Sequence, residues 1–422
     1  MSLIVDPTNS STYNVVDKGG FAITYVDQAG AAGDYITDTF TIGGATIKAL
    51  EMGLASKSTL PMGIMGIGYD TDEASNSKES KAKPFTYPSI IDTMFNQSLI
   101  NTKAYSLYLD DLEASTGSII FGGLDSDKYH GDLLQLPIVP DTLQNGMKVY
   151  AEFSVAMTGF GITSQSGITT NFTTEVEAVI LDSGTTVTYL PDKLVSQLIQ
   201  AINGVDDPEG TGYIFVDCNI RNNASMTFNY GFGGANGVFI KVPVSELVFD
   251  VTGVSSLGPY SSPKLPFSNV CAFGILPGGT EGPFVLGDTF LRSAYVVYDI
   301  QNNLIALAQT NFNSTTSSVV DFKAGATSIP KVSGVASSAQ VTQTATGVIG
   351  PQKSATETGS GTTSTGTTTR TSTGTTTTGS SATQTQSKSA AVGSVPAFNV
   401  QRLLILGISV AFAGLGGGFL LA

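Results

Sequence analysis

Apolar residues in this chain come in short runs, and clusters of turn-forming residues break those runs at short intervals. Ala104-Tyr105-Ser106-Leu107-Tyr108-Leu109 and Ala294-Tyr295-Val296-Val297-Tyr298 are representative, and no apolar repeat of helical period persists over a long stretch. Such patterning predicts mostly β-structure with a few short helices, Pro191–Ile202 among them. Four regions separate along the chain: residues 1–137 and 138–309 are folded in character, 310–389 are a polar stalk, and 390–422 are a terminal signal. Ser and Thr dominate Ser354–Ser389, interspersed with Gly, Ala and Gln. A segment of that kind buries too little apolar surface to offset its chain entropy, so it is expected to be disordered and extended. It reads as an O-glycosylated stalk, with a plain flexible linker as the alternative. The last stretch, Leu403–Ala422, carries no charge and is long enough to span a bilayer as a helix. Small residues at Ser389-Ala390-Ala391, a spacer over Val392–Arg402 and then the apolar tail have the layout of a GPI-attachment signal. Ser389 or Gly393 is the expected attachment residue, and a retained tail anchor is the alternative.

Composition narrows the chemistry. The chain has 422 residues, 41% of them hydrophobic and only 13% charged, with 48 glycines. Low charge with abundant Gly, Ser and Thr suits an exported, turn-rich β-protein. Five Asn-x-Ser/Thr acceptors, at Asn9, Asn96, Asn171, Asn223 and Asn313, agree with export and are candidate glycosylation sites. The opening residues Met1–Asp6 nevertheless lack the basic start, apolar core and cleavage site of a signal peptide. The expectation is therefore that the natural N-terminus is missing. Two cysteines in an exported chain, Cys218 and Cys271, are most simply joined, the alternative being two buried thiols. A formal net charge of -14 argues against nucleic-acid binding, which needs basic stripes.

Histidine occurs once, at His130, within Lys128–Asp132, which reads as a surface turn leaving a strand. One His and two Cys cannot build a His/Cys zinc site without heavy carboxylate help, and a Ser or Cys triad would have only His130 as base. Any hydrolytic acid and base in this chain should be carboxylates. The sharpest local feature meets that requirement: Glu177-Ala178-Val179-Ile180-Leu181-Asp182-Ser183-Gly184-Thr185-Thr186. An apolar strand delivers Asp182 into a tight Ser-Gly turn, where neighbouring amides and hydroxyls can donate to the carboxylate and fix its direction.

With that motif in its context, residues 3–309 resemble the pepsin-type (family A1) aspartic peptidases. Asp182–Thr186 is similar to the C-lobe catalytic loop of that family. Ile23-Thr24-Tyr25 with Gly30 and Asp34–Gly43 resembles the flap hairpin, placing Tyr25 at the flap tyrosine. Gly63–Gly68 resembles the N-lobe segment behind the first catalytic loop, with Ile64 beside a substrate side-chain pocket. Ala104–Leu109 followed by Gly117–Gly123 resembles the end of the N-lobe, and Phe284–Phe290 its C-lobe counterpart. Cys218 and Cys271 fall at the C-lobe disulfide positions. The stalk and tail resemble those of the fungal GPI-anchored, yapsin-like branch.

The resemblance implies an all-β, bilobal pepsin-like acid protease fold followed by a disordered stalk. It further implies an endopeptidase acting on protein or peptide substrates at acidic pH as a monomer, without metal or organic cofactor. Asp182 would be one of two aspartates that share a proton and a water, and Gly184 and Thr185 would contact substrate backbone. The chain departs from the pattern in one respect. No Asp-Thr-Gly or Asp-Ser-Gly precedes the flap, so the N-lobe is expected to be incomplete and this polypeptide inactive. Asp6, Asp17 and Asp27 lack the motif; the absence of Trp agrees with a lost first loop. Asp288 reads as a structural turn residue, Asp70-Thr71-Asp72-Glu73 as a solvated loop, and Gly231–Gly234 as a turn. Two rival readings stay open: a non-catalytic peptide-binding relative, and a cell-wall mannoprotein whose stalk is the functional part. In every reading the destination is the cell surface, through a GPI anchor in the plasma membrane or a link to the wall.

Overall fold

The computed structural model describes residues 6–25, 29–60, 62–76, 85–143, 146–164, 166–207, 212–251, 265–336 and 343–344. Most of the stalk and the whole terminal signal, with Ser389, Gly393 and Leu403–Ala422, lie outside these residues, as do Met1–Val5 and Asp27. Among the described residues no helix is long and apolar enough to cross a membrane.

Strands predominate, as the short alternating runs require. The first half opens with an antiparallel sheet of three strands, Asn14–Thr24, Gly30–Ile42 and Ala45–Ser58. The turn joining the second and third is Gly43-Gly44, whose φ angles of 55° and 87° are the left-handed pair that a two-residue hairpin demands. The first two strands form the hairpin expected to be the flap, with Thr24 opposite Gly30. Tyr35 is fully buried beneath it, meeting the rings of Phe21, Phe85 and Tyr87 edge-on at centroid distances of 5.5, 5.4 and 5.7 Å. Helix Ile90–Asn96 follows, started by a capping box between Ser89 and Asp92.

The second half is built on a larger sheet. Its strand order is Val238–Pro243, Thr227–Phe232, Ser154–Thr163, Glu177–Leu181, Phe284–Leu286, Thr188–Leu190 and Ile275–Pro277. Helix Asp192–Ile202 buries Leu194, Val195, Leu198 and Ile202 against the core, one stripe of its surface. It ends at Asn203, which adopts a left-handed φ of 53°. The helix begins one residue later than the sequence suggests, because Pro191 serves as N-cap. Cys218 and Cys271 are bonded, with Cα atoms 5.0 Å apart, beside a small sheet containing Ile214–Asp217 and Val270–Phe273. The chain-entropy model assigns such a bridge about 4 kcal/mol.

A six-stranded sheet is common to both halves. Its order is Val332–Val335, Tyr129–Pro137, Leu304–Thr310, Ala294–Asp299, Ala104–Tyr108 and Ser118–Phe121. His130 lies in the strand Tyr129–Pro137 and not in a turn, although it is exposed as a surface residue would be. The sequence reading began the stalk at 310, but order continues to Ala336: Phe322 and Ile329 are 1% and 2% exposed. Ser/Thr-rich flanks masked these two spaced apolar anchors.

Asp70–Glu73 also differs from expectation. Asp70–Asp72 is a 3-10 turn in which Thr71 Oγ1 donates to Tyr150 O at 2.6 Å. Glu73 is half-buried and accepts from the Tyr87 hydroxyl at 2.8 Å. Packed under the flap sheet, the loop is not a freely solvated one. Burial pushes the Glu73 carboxyl up to about 7, the Tyr87 bond opposes the rise, and the charges of Asp72, Asp70 and Asp92 add to it. The folded state therefore holds this proton more tightly than the unfolded chain does. The stabilisation is complete below the ordinary Glu range and is lost as pH rises through about 7. A Glu73→Gln variant, which keeps an acceptor for Tyr87 without titrating, should lose less melting temperature between pH 5 and pH 8 than the parent chain. Thermal unfolding at the two pH values checks this; equal losses in both proteins would contradict it.

Candidate active site

Asp182 sits at the exit of strand Glu177–Leu181, which pairs in parallel with Phe284–Leu286 through Val179–Phe284, Ile180–Val285 and Leu181–Leu286. After the loop, the chain returns as Thr188–Leu190 on the other side of Phe284–Leu286, with Tyr189 opposite Val285. The loop thus wraps over the end of one buried strand. The Asp182 N–H donates to Leu286 O at 3.2 Å, and the N–H groups of Asp288 and Thr289 donate back to Thr185 O and Thr186 O at 2.8 and 3.1 Å. Gly287 makes this approach possible, since a Cβ there would lie 2.2 Å from Thr185 O and 2.4 Å from Val187 O. A buried Thr289 hydroxyl at 2.9 Å from that of Thr188 completes the clamp.

The carboxylate is held at both oxygens. Gly184 N–H donates to Asp182 Oδ1 at 2.8 Å, and the Thr185 hydroxyl donates to Oδ2 at 2.6 Å. Two donors in fixed positions set the plane of the carboxyl group. Asp182 itself is half-buried, so one side of it remains accessible. Behind it lie Tyr105 and Tyr298, stacked at 4.7 Å with Phe153 edge-on to Tyr298 at 4.7 Å. Burial first, and the Asp182 charge among other causes, raise both phenols above their ordinary range, so they stay neutral. The Tyr105 hydroxyl donates to Ile67 O at 3.0 Å, tying the Gly63–Gly68 segment to the six-stranded sheet.

Other carboxyls share this environment. Asp288 is the first residue of the short helix Asp288–Leu291, and enclosure pushes its carboxyl up to about 8, with Arg292 opposing and Asp182 adding to the rise. Reading it as a structural turn residue captured its backbone role and missed its place beside Asp182. The Leu-Gly-Asp sequence directly after the strand that pairs with the Asp182 strand was the available signal. Asp72 is open to solvent on one side yet walled by protein on the others. That enclosure, with the charges of Asp141 and Asp182, lifts it to about 6. No local pattern marks Asp72, because only the fold brings it within reach of the Asp141 and Asp182 charges.

The remaining candidates are placed as follows. Tyr25 is half-buried at the base of the flap tip, its N–H donating to Ala29 O at 2.8 Å. Ile64 is 53% exposed on an irregular segment. Gly184 and Thr185 are engaged with Asp182 as described. Asp6 caps a short turn by accepting from Thr8 N–H at 3.0 Å and from the Thr8 hydroxyl at 2.6 Å. Asp17 lies on the first flap strand. Gly233 and Gly234 form a turn with φ of 79° and 70°. Among the described residues no group of His, Cys, Asp and Glu is arranged to hold a metal ion. A groove of about 470 Å³ lined by Ile162, Phe172, Gln197 and Met226 among others contains no ionisable side chain and has nothing with which to hydrolyse a bond.

Comparison with known proteins bears on this geometry. The sequence profile of the family described as "Eukaryotic aspartyl protease" matches residues 2–310. The chain is 41% identical over 332 residues to "Probable aspartic-type endopeptidase opsB" of Aspergillus fumigatus, covering 78% of this chain and 64% of that protein. It is 31% identical over 302 residues to "Aspartic proteinase 3" of Saccharomyces cerevisiae, covering 71% of this chain and 49% of the relative. The chain thus spans less than two thirds of the length of either relative. In structure it resembles the aspartic proteinase from Irpex lacteus, with a TM-score of 0.56 at 22% identity, over 75% of this chain and 87% of that one. A carboxylate cradled by Gly and Thr at the mouth of a parallel strand pair, in a mostly β-fold matched by this profile, leads to one conclusion: the chain belongs to the eukaryotic aspartyl protease family.

Proposed function

We propose that the protein acts as an aspartic endopeptidase, cutting peptide bonds in acid with water activated between Asp182 and a second aspartate. The observation that carries this reading is the two-point cradle of Asp182, Gly184 N–H at 2.8 Å and the Thr185 hydroxyl at 2.6 Å. Two adjacent carboxyls do not both ionise cheaply, so one keeps a proton while the other takes one from water. The water oxygen attacks the peptide carbonyl, and the protonated partner polarises the carbonyl oxygen. The pair titrates as a unit. The flap with Tyr25 closes over the substrate, Ile64 meets one of its side chains, and Gly184 and Thr185 lie beside its backbone.

The sequence holds a single Asp-Ser/Thr-Gly, at Asp182. We therefore infer that these 422 residues supply one aspartate of the pair, and that the chain as given is inactive. A gene product with no such partner would bind peptides without cutting them, which is the second reading; a stalk-dominated wall mannoprotein is the third. The acid setting is supported by the carboxyls of Glu73, Asp288 and Asp72, all raised above their ordinary range.

Export, a GPI anchor at Ser389 or Gly393 and a cell-surface position follow from the stalk and tail pattern. Of the five glycan acceptors, Asn9, Asn96, Asn171 and Asn313 are exposed and Asn223 is half-buried. Asn313 already donates its side-chain amide to Asp111 Oδ2 at 2.7 Å.

In the full-length gene product, Asp182→Asn should lower peptide cleavage near pH 4 by about 1000-fold or more without loss of fold. Retained activity in that variant, or none in the parent protein, would sink the enzyme reading. Thr185→Val should lower kcat by about 10-fold or more with little change in KM, while Thr185→Ser, which keeps the hydroxyl, should restore it. Equal rates in the Val and Ser variants would show that the hydroxyl does not act on the reacting carboxylate. Phosphatidylinositol-specific phospholipase should release the protein from intact cells; retention after complete digestion, with no wall linkage, would contradict the anchor.

A further inference from the structure

The last strand of the second half, Leu304–Thr310, ends where the family profile ends. The chain then turns away from the lobe to which it is tethered and runs across the other. Asn313, in a left-handed conformation with φ of 57°, donates its N–H to Asp110 Oδ1 at 2.8 Å and its side-chain amide to Asp111 Oδ2 at 2.7 Å. The buried carboxylate of Asp125 accepts from Ser317 Oγ at 2.6 Å and from Ser318 N–H at 2.7 Å. Val319–Asp321 then pairs antiparallel with Gly123–Asp125. Every one of these partners belongs to the first half.

Two apolar anchors follow. Phe322 and Ile329 join a second core cluster, separate from the main one, in which Tyr108, Leu124 and Leu133 come from the first half and Tyr295 and Val297 from the second. Ile329 N–H donates to Gln135 Oε1 at 3.1 Å, a buried bond that fixes where this anchor enters. Among the described residues one bond returns to the second half, from Asn302 Nδ2 to Ala326 O at 3.1 Å. A segment covalently continuous with one lobe thus supplies the closing side chains of a core that both lobes share.

We propose that residues 311–329 are a clasp that holds the two lobes in one relative arrangement, and that the folded unit extends through it instead of ending at Thr310. The six-stranded sheet already joins the two halves through Ala104–Tyr108 with Ala294–Asp299 and Tyr129–Pro137 with Leu304–Thr310, and the clasp adds a second attachment outside that sheet. A strap tethered to one lobe and seated on the other makes the second contact intramolecular, so it opposes separation at high effective concentration.

The test uses the full chain, measured by thermal unfolding and by hydrogen exchange. The stalk-deleted form ending at Ala336 should melt within about 2 °C of the parent chain, whereas Phe322→Ala with Ile329→Ala should lower the melting temperature by about 5 °C or more. Exchange in Gly123–Asp125 and Tyr129–Pro137 should rise about tenfold in the double variant, with Glu177–Leu181 protected as before. Should the double variant not fold, Asn313→Gly keeps the left-handed backbone and removes the Asp111 bond. It should raise exchange at Gly123–Asp125 about threefold. Unchanged exchange at those strands in the folded variants, or an equal rise throughout both lobes, would overturn the clasp.

Discussion

The arrangement rests on how one carboxylate is held. A short loop is pinned from below by backbone bonds to the end of strand Phe284–Leu286 and from the side by its own Gly184 and Thr185. Fixing Asp182 in this way needs a buried parallel strand pair, a glycine at 287 where no Cβ fits, and a hydroxyl pair at Thr188 and Thr289. None of these groups reacts. They hold the Gly184 and Thr185 donors in place against the Asp182 carboxylate. The stacked tyrosines behind the site keep water from that side and carry no charge of their own.

Much of this was legible in the residue order because it is local. The apolar run into Asp182 and the helix at Asp192–Ile202 both depend on neighbours a few positions apart. The cysteine pairing followed from compartment and family resemblance, and the two sulfurs are joined. What escaped is non-local. Asp72 comes within reach of the Asp141 and Asp182 charges only through the packing of separate segments, and Glu73 looks solvated until Tyr87 is seen to donate to it. The clasp was hidden for a different reason: its composition is polar, and just two side chains, Phe322 and Ile329, commit it to the core.

Carboxyl groups show a consistent direction. Glu51, Asp72, Glu73, Glu177, Glu246, Asp288 and Asp299 are all displaced upward, with burial the leading cause in each. Among the described residues, Asp6 and Asp38, both at the surface and bonded chiefly to hydroxyls, are displaced downward. Enclosing so many acids without matching cations is tolerable while they are protonated. Arg292 acts on both Glu246 and Asp288; its Nε lies 2.6 Å from Glu246 Oε2 in a pair buried on both sides. A net charge of -14 reinforces the trend, since self-repulsion grows as the remaining acids ionise.

The shared six-stranded sheet carries a consequence for biosynthesis. Strand Ala104–Tyr108 pairs with Ala294–Asp299, and Tyr129–Pro137 pairs with Leu304–Thr310. When the earlier strands leave the ribosome, their partners have not yet been made, and a cytosolic or lumenal edge of unpaired amides must wait for them. Pairings so distant in sequence are slow to form and leave the nascent chain open to wrong partners in the interval. A polypeptide built this way carries its risk of mispairing in the interval before residues 294–310 are made, and not in the finished fold.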